Sequence, residues 1–192
     1  MLKALVNRVS RRQCILAAGL NAKTRVHGLG DGARWIIDQF GEQFGAQGTY
    51  LVDFYHSSEY LAGAAPVMNQ RQPKMWLRRQ QGRLLSNRLG SVLKSLLTKQ
   101  EPKEAAESPV RDAHRYLTER ANHLDYAGAR KANLPIGSGE IESGHRHVIQ
   151  QRLKLSGAWW RERNAEAMLS LRVCRANQTW LPYWTNFAAI EN

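Results

Sequence analysis

Residues 24–30 read Thr-Arg-Val-His-Gly-Leu-Gly, and residues 49–55 read Thr-Tyr-Leu-Val-Asp-Phe-Tyr. The first run predicts a short strand that leads into a glycine-flanked turn at Asp31. The second is rich in β-forming residues and short enough for a buried strand. Helical spacing of apolar residues follows the first run, and a further helix is predicted from about residue 57 to 65. The order strand–helix–strand–helix over residues 24–65 predicts an α/β fold.

Helical patterns cover most of the remaining chain. Residues 2–20 alternate basic and apolar positions and predict a helix that Gly19 ends. Apolar residues from Leu85 to Leu97 recur at i, i+4, i+7 and i+8, which predicts one amphipathic helix. Helices are also predicted from about residue 140 to 155 and from about 161 to 177, with a Trp-rich tail over residues 180–184. The middle of the chain is therefore predicted to be an all-helical insertion.

Composition limits the class of protein. A chain of 192 residues with 43% hydrophobic residues suits one domain with a core, or one domain with an insertion. Its net charge of +12 favours an anionic polymer such as nucleic acid as partner. Cys14 and Cys174 lie far apart, which indicates free thiols in a reducing compartment. Neither a signal peptide nor a membrane-spanning stretch is predicted, so the expected location is cytoplasmic.

Acidic residues occur at two conspicuous places. Residues 1–30 contain no Asp or Glu, and then Asp31 appears between Gly30 and Gly32, where a strand is predicted to end. Ligands of α/β sheets gather at the carboxyl ends of strands. Glu140 and Glu142 follow a Gly-Ser-Gly loop at the start of a predicted helix. They point about 200° apart on a helix, so only one faces the site, and Glu142 is preferred over Glu140.

Asp31 and Glu142 would form two corners of a three-carboxylate metal site. Mg²⁺ or Mn²⁺ suits such a site because these ions prefer hard oxygen ligands, and two ions together support phosphodiester cleavage. The alternatives are an ordinary Asp-Gly turn at Asp31 and a helix-terminal carboxylate at Glu142, which would complement the helix dipole. The spatial prediction is that both carboxylates bind the same cation.

Two further groups of residues carry possible chemistry. Asp53 and His56 form a D-x-x-H element after the second strand, and with His145 they leave open a transition-metal site of an unrelated hydrolase. His56 is otherwise expected to pair with a nearby polar group or a DNA phosphate. Basic residues alternate with aromatic ones farther along, which suits a phosphate backbone and an unstacked base. This predicted DNA-binding group comprises Arg146, Arg152, Lys154, Trp159, Trp160 and Arg161, with one Trp expected to be buried and one exposed.

Several of these segments resemble one family in the family's order. They are Leu29-Gly-Asp-Gly-Ala-Arg-Trp-Ile, Asp53-Phe-Tyr-His-Ser-Ser-Glu-Tyr-Leu, Leu134-Pro-Ile-Gly-Ser-Gly-Glu-Ile-Glu-Ser, Gln151-Arg-Leu-Lys-Leu-Ser-Gly-Ala-Trp-Trp, and the closing Leu171-Arg, Asn177, Trp180 and Tyr183-Trp. The chain thus resembles bacterial insertion-sequence transposases of the Mutator-like DDE superfamily, in the Kra-type branch. The resemblance spans about residues 25–184.

The resemblance implies a ribonuclease-H-like fold. Residues 1–65 would be a remnant of its core, residues 66–130 the helical insertion, and residues 131–192 the return to the core. It implies that Asp31 is the second catalytic Asp, Glu142 the final catalytic Glu, and Asp53 with His56 the auxiliary element. The family's first catalytic Asp, first three strands and N-terminal DNA-binding region have no counterpart in this sequence.

The resemblance also implies partners and alternatives. DNA is expected as substrate, both the insertion-sequence ends and the target, with two Mg²⁺ or Mn²⁺ ions in an intact relative. The chain would be the C-terminal part of the catalytic domain and inactive alone, because the first catalytic Asp is absent. A homo-oligomer or co-assembly with an intact transposase is possible on this interpretation. The alternative function is that of a non-catalytic DNA-binding protein or transposition inhibitor.

Overall fold

A computed structural model describes residues 19–190, and the chain divides into two compact units that meet between Gly137 and Ser138. Residues 2–18 of the helix predicted over residues 2–20, with Cys14 among them, lie outside the described residues; Gly19, predicted to end that helix, has a left-handed backbone (φ 94°). The described part is mostly helical with a small parallel sheet, which agrees with the α/β class at a coarse level.

The first unit begins with the predicted strand–helix–strand–helix order. Strand β1 (Val26–Gly30) is followed by helix α1 (Arg34–Phe44), a short 3₁₀ turn (Gly45–Gln47), strand β2 (Gly48–Val52) and helix α2 (Phe54–Met68). The two strands are parallel, with Val26 opposite Gly48 and Gly30 opposite Val52. Parallel strands need a crossover connection, and α1 supplies it.

Glycines let α1 approach the sheet closely. The ring of Phe40 lies over both strands: a Cβ added at Gly28 would come within 2.5 Å of it, and one at Gly48 within 2.6 Å. Any side chain at these two positions would displace the ring. Phe40 also packs edge-on against Tyr50 of β2 at 5.6 Å between centroids, so aromatic contacts cover this face of the sheet.

Residues 73–131 form a bundle of short helices. It contains α3 (Pro73–Leu85), α4 (Leu89–Leu97), α5 (Pro109–Glu119), a 3₁₀ turn (Ala121–His123) and α6 (Tyr126–Lys131). Helix α2 packs against α3 and α5, so the bundle continues from the sheet layer without a break in the core. The buried apolar side chains of this core include Leu61, Leu84, Val92, Leu96, Val110, Leu117 and Tyr126.

The prediction of one helix through Leu85 and Leu97 is wrong. Helix α3 ends at Leu85 and α4 begins at Leu89. Between them Asn87 has a left-handed backbone (φ 54°), which ends a helix in the way that Gly often does. The side chain of Asn87 donates to Asp125 Oδ1 (2.6 Å) and accepts from the backbone N–H of Ala127 (3.0 Å), so contacts with α6 hold the break.

The second unit is described by itself. It contains a helical run made of α7 (Gly139–Gly144), a π-helical segment (His145–Gln150) and α8 (Gln151–Leu153), followed by α9 (Glu162–Ala176) and α10 (Trp180–Ile190). The first run and α9 agree with the predicted helices. The Trp-rich tail, for which no secondary structure is predicted from the sequence, lies in α10, where Trp180 and Trp184 pack at 5.6 Å between centroids.

Gly82 offers a test of the bundle. It lies inside α3, and a Cβ added there would meet no atom within 4 Å. Gly82→Ala is therefore expected to raise the free energy of unfolding by about 0.5–1 kcal/mol, because Ala loses less conformational freedom in a helix. Denaturant titration measures this change. The same substitution at Gly28, under the Phe40 ring, is expected to have the opposite sign.

Candidate active site

The carboxyl ends of both strands carry an acidic residue. Asp31 follows β1 and Asp53 follows β2, and the backbone N–H of Asp53 donates to the carbonyl of Gly30 (2.7 Å). Because the strands are parallel and in register, the two residues leave the same edge of the sheet. This is the edge at which α/β folds bind ligands.

Asp31 has an exposed side chain on a tight turn. Its Oδ1 accepts from the backbone N–H of Ala33 (2.8 Å), and Gly32 has a positive φ of 77°. Gly32 is required here for two reasons: the backbone is left-handed, and a Cβ would come within 2.8 Å of the Arg120 side chain. The turn thus holds the Asp31 carboxylate at the surface of the strand edge.

Tyr116 in α5 and Arg120 directly after this helix bind the backbone of the Asp31 turn. The hydroxyl of Tyr116 donates to the carbonyl of Asp31 (2.7 Å), and Nε of Arg120 donates to the carbonyl of Gly32 (2.9 Å). The guanidinium of Arg120 lies over the Tyr116 ring at 4.1 Å from its centroid. Tyr116 stacks in turn on Tyr60 of α2, with 3.9 Å between centroids. Because both carbonyls of the turn are bonded, the backbone at Asp31 is fixed while its carboxylate stays exposed.

Tyr50 lies beneath the same turn. Its hydroxyl accepts from the backbone N–H of Gly32 at 3.4 Å. A Cβ at Gly30 would come within 2.6 Å of this hydroxyl, so Gly30 also belongs to the packing. Burial raises the pKa of Tyr50 above its ordinary value; the Asp31 carboxylate raises it further, while the Gly32 hydrogen bond and Arg120 act in the other direction. Tyr50 therefore stays protonated at neutral pH.

Asp53 is placed differently from Asp31. It is 4% exposed and caps α2, where its Oδ1 accepts from the backbone N–H groups of Tyr55 (2.6 Å) and His56 (3.2 Å). His56 is half-buried, and its Nδ1 lies 3.2 Å from Glu59 Oε2. The expectation that His56 pairs with a nearby polar group is confirmed. The geometry of Asp53 is that of a helix cap, which explains its position without a metal.

Substitution of Asp53 tests its role as the cap of α2. Asp53→Ala is expected to lower the free energy of unfolding by about 0.5–2 kcal/mol, because two backbone donors of α2 lose their acceptor. Asp53→Asn is expected to cost less, since Asn also caps helices well. Thermal unfolding of both variants measures the difference. Equal losses for Ala and Asn would show that the charge of Asp53, rather than its capping oxygen, is what the fold requires.

The segment before the second unit is bonded to the sheet layer. The carbonyl of Pro135 lies 2.9 Å from Nε2 of His27, and the carbonyl of Ile136 accepts from the backbone N–H of Phe54 (2.9 Å). A Cβ at Gly137 would come within 2.5 Å of the Tyr55 ring. Among the described residues, His27 Nδ1 is the one buried side-chain polar atom with no hydrogen-bond partner. The chain therefore leaves the first unit beside the start of α2.

Glu142 belongs to the second unit and lies in α7. Its side chain is exposed, and Oε1 accepts from the hydroxyl of Ser138 (3.2 Å). The π-helical segment that follows is contacted by Arg172 of α9: its Nε donates to the carbonyl of Val148 and its terminal nitrogen to the carbonyl of His147. The choice of Glu142 over Glu140 stays a prediction.

The predicted DNA-binding residues are all exposed within the second unit. They are Arg146, Arg152, Lys154, Trp159, Trp160 and Arg161. Trp159 is 98% exposed and Trp160 is 36% exposed. The expectation that one of the two Trp residues is buried is therefore wrong. Their loop, residues 154–161, lies between α8 and α9 and is exposed throughout.

Trp159 gives a clear expected result. Trp159→Ala should leave the free energy of unfolding within about 0.5 kcal/mol, because the indole has almost no contacts to lose. If Trp159 stacks on an unpaired base, the affinity for single-stranded DNA should fall by about 1–3 kcal/mol. Fluorescence anisotropy with a labelled single strand measures it. Trp35→Ala, at an exposed Trp of α1 (60%), is the matched control and is expected to leave the affinity unchanged.

Among residues 19–190, no group of three or more His, Cys, Asp or Glu side chains is placed to hold a metal ion. No helix in this range combines the length and apolar character needed to cross a membrane. No known family model matches the sequence, and neither curated proteins nor solved structures contain a significant match.

Sequence patterns missed three residues of the strand edge. Tyr116 and Arg120 hold the Asp31 turn from 85 and 88 residues away, and His27 contacts Pro135 over 108 residues. Tyr116 and Arg120 do fall one helical turn apart, which is the spacing that brings two side chains to one face. That spacing predicts a pair but gives no indication of what the pair contacts.

Proposed function

We propose that this chain carries two of the three catalytic carboxylates of a DDE-type transposase, in a ribonuclease-H-like core, and acts on DNA by metal-dependent strand cleavage and transfer. One observation carries the proposal. Asp31 directly follows a parallel strand, with an exposed carboxylate on a backbone that Tyr116 and Arg120 hold fixed. Fixed geometry is what a metal ligand needs if it is to orient the reacting groups.

The donor chemistry of the two acids fits a hard divalent cation. Oδ1 of Asp31 accepts one hydrogen bond, from Ala33, and none of the described residues donates to Oδ2. Glu142 likewise is exposed, with a hydrogen bond to Oε1 alone among the described contacts. Asp31 and Glu142 would hold Mg²⁺ or Mn²⁺ through these oxygens. A pair of such ions, when bound, activates the attacking water or 3′ hydroxyl and stabilises the departing oxygen.

The third carboxylate is proposed to come from elsewhere. Residues 1–30 hold no Asp or Glu, so this sequence offers no acid upstream of Asp31. On this proposal Asp31 and Glu142 act together with a third carboxylate that residues 1–30 do not supply, or the chain interferes with an intact transposase by assembling with it on insertion-sequence ends. Asp53 and His56 would support the site from α2 rather than bind the ion.

Metal-directed cleavage of the polypeptide tests the proposal. Fe²⁺ replaces Mg²⁺ in the purified protein, and ascorbate with peroxide then generates hydroxyl radicals at the bound ion. Backbone breaks are expected near residue 31 and near residue 142 in the same sample, and excess Mg²⁺ should suppress both. Breaks at only one of the two positions, or at neither, would contradict a shared cation.

A second candidate function is non-catalytic DNA binding, including inhibition of transposition. It is favoured by the net charge of +12 and by the lack of a three-ligand cluster among residues 19–190. DNA binding that is equally tight in EDTA and in Mg²⁺, together with no metal-directed breaks, would favour this candidate. Binding that depends on the cation would favour the first.

A further inference from the structure

Helix α3 has one face against the core and one face toward solvent. Its core face carries Trp76, Gln80 and Leu84, which are all buried. The opposite face spans about 140° of the helix at 100° per residue. Its exposed members are Lys74, Met75, Arg78, Arg79 and Gly82, called the basic face below, whereas Leu85 at the end of the same arc is half-buried against the core.

The charges of the basic face are not compensated within the described structure. Residues 67–99 contain eight Lys or Arg and no acid. The described ion pairs are His56–Glu59, Asp112–Arg115 and Glu119–Arg120, so none involves α3. Lys74 and Arg78 are like charges at i, i+4, an arrangement that destabilises a helix. An anionic partner would remove this repulsion.

Gly82 lies within the basic face and has no role in packing. A Cβ there would meet nothing within 4 Å, and Gly weakens a helix interior relative to Ala. Because Gly82 has no side chain, the surface of α3 is open on the C-terminal side of Arg78 and Arg79. A partner backbone can approach the helix most closely at such a position.

The character of the face selects among anionic partners. Membrane binding needs a substantial exposed apolar face, and Met75 is the single exposed apolar side chain of the basic face. Single-stranded nucleic acid is bound through aromatic stacking, and the basic face has no aromatic residue. Binding to the phosphates of duplex DNA requires cationic side chains and a surface that the DNA backbone can approach closely, without an apolar face or aromatic rings. We propose that the basic face of α3 binds the phosphate backbone of duplex DNA without reading its bases.

This inference deepens the proposed function and rests on it for the identity of the nucleic acid. It assigns the duplex to the insertion and leaves the exposed Trp159 of the second unit for unpaired bases. Lys74, Arg78 and Arg79 are positioning residues for DNA on this view, because none of them belongs to the candidate metal site.

The test measures salt dependence of DNA binding in EDTA, so that no cleavage chemistry is involved. The full chain is titrated with a labelled 30-base-pair duplex over a series of salt concentrations. K74Q/R78Q is compared with K23Q/K103Q, which removes two exposed charges from other segments. The first variant is expected to reduce the slope of log K against log salt by about 1.8, at about 0.9 per lost phosphate contact. The control is expected to change it much less.

Substitutions at Gly82 provide a second readout. Gly82→Glu should weaken duplex binding strongly, while Gly82→Ala should retain it; both should remain folded, because the position is open. Equal slope changes for the two double variants would overturn the proposal, since net charge alone would then explain binding. Equal effects of K74Q/R78Q on anionic vesicles or on single strands would also overturn it.

The outcomes of the two proposals are distinguishable. Suppose that metal-directed breaks at residues 31 and 142 are absent but K74Q/R78Q still lowers the salt slope more than K23Q/K103Q does. The catalytic proposal is then wrong, and DNA binding by the basic face is supported. If the breaks occur and the two double variants have equal salt slopes, the candidate metal site is supported and DNA binding by the basic face is wrong.

Discussion

Asp31→Asn is expected to abolish the stabilisation of this protein by Mn²⁺ and any metal-dependent nicking of DNA. Asn keeps an oxygen that can accept from the backbone N–H of Ala33, so the turn should stay intact. What it removes is the negative charge that a hard divalent cation requires. For the unchanged protein, Mn²⁺ at a hundred times its dissociation constant should add about 2.7 kcal/mol to the free energy of unfolding. Thermal unfolding with and without Mn²⁺ measures the loss.

Asp38→Asn is the matched control. Asp38 is an exposed carboxylate on α1, seven residues after Asp31, and the substitution changes the same charge. It is expected to preserve the full response to Mn²⁺. Glu142→Gln should behave like Asp31→Asn. A full Mn²⁺ response in both the Asp31 and the Glu142 variants would remove these residues from the metal site, whatever the fold of the core.

Tyr126→Phe is expected to lower the free energy of unfolding by about 1–3 kcal/mol. Tyr126 Oη and Ser57 Oγ lie 2.9 Å apart, and both residues are fully buried. Removing one hydroxyl leaves the other buried without this partner, which costs more than the bond itself contributes. Burial raises the pKa of Tyr126, so its hydroxyl is neutral at any ordinary pH and the result should not vary with pH.

The double variant Ser57→Ala with Tyr126→Phe completes the cycle. Because both polar groups are then removed together, it should be less destabilised than the sum of the single variants. Chemical denaturation of the four proteins gives the coupling energy. Strict additivity would mean that the two hydroxyls do not interact in solution.

Local patterns predicted the sheet layer well. The strands around Leu29 and Leu51 and the helix between them depend on neighbours in sequence, on strand-forming residues, glycine-flanked turns and helical spacing. The position of Asp31 at a strand end could be predicted for the same reason. The ribonuclease-H-like core itself remains a prediction, because the sheet of the described residues has two strands, which fit many α/β folds.

Tertiary contacts explain what the patterns could not give. Leucine spacing continues through Leu85 and Leu89, and the break between them depends on Asn87 bonding to Asp125, which is 38 residues away. The exposure of Trp160 depends on whether other parts of the chain pack on its loop. The hold of Tyr116 and Arg120 on the Asp31 turn depends on the packing of α5 against α2. In each case residues distant in sequence decide the outcome.

Tyr116 and Arg120 bind the turn at Asp31, and this matters for any shortened variant of the protein that lacks residues 66–130. Residues 66–130 could be taken for a dispensable appendage, to be excised and replaced by a short linker. Excision would remove the donors to the carbonyls of Asp31 and Gly32 together with the stack on Tyr60. A shortened chain of that kind should therefore lose the order of its acidic corner, even if both strands and their crossover helix survive.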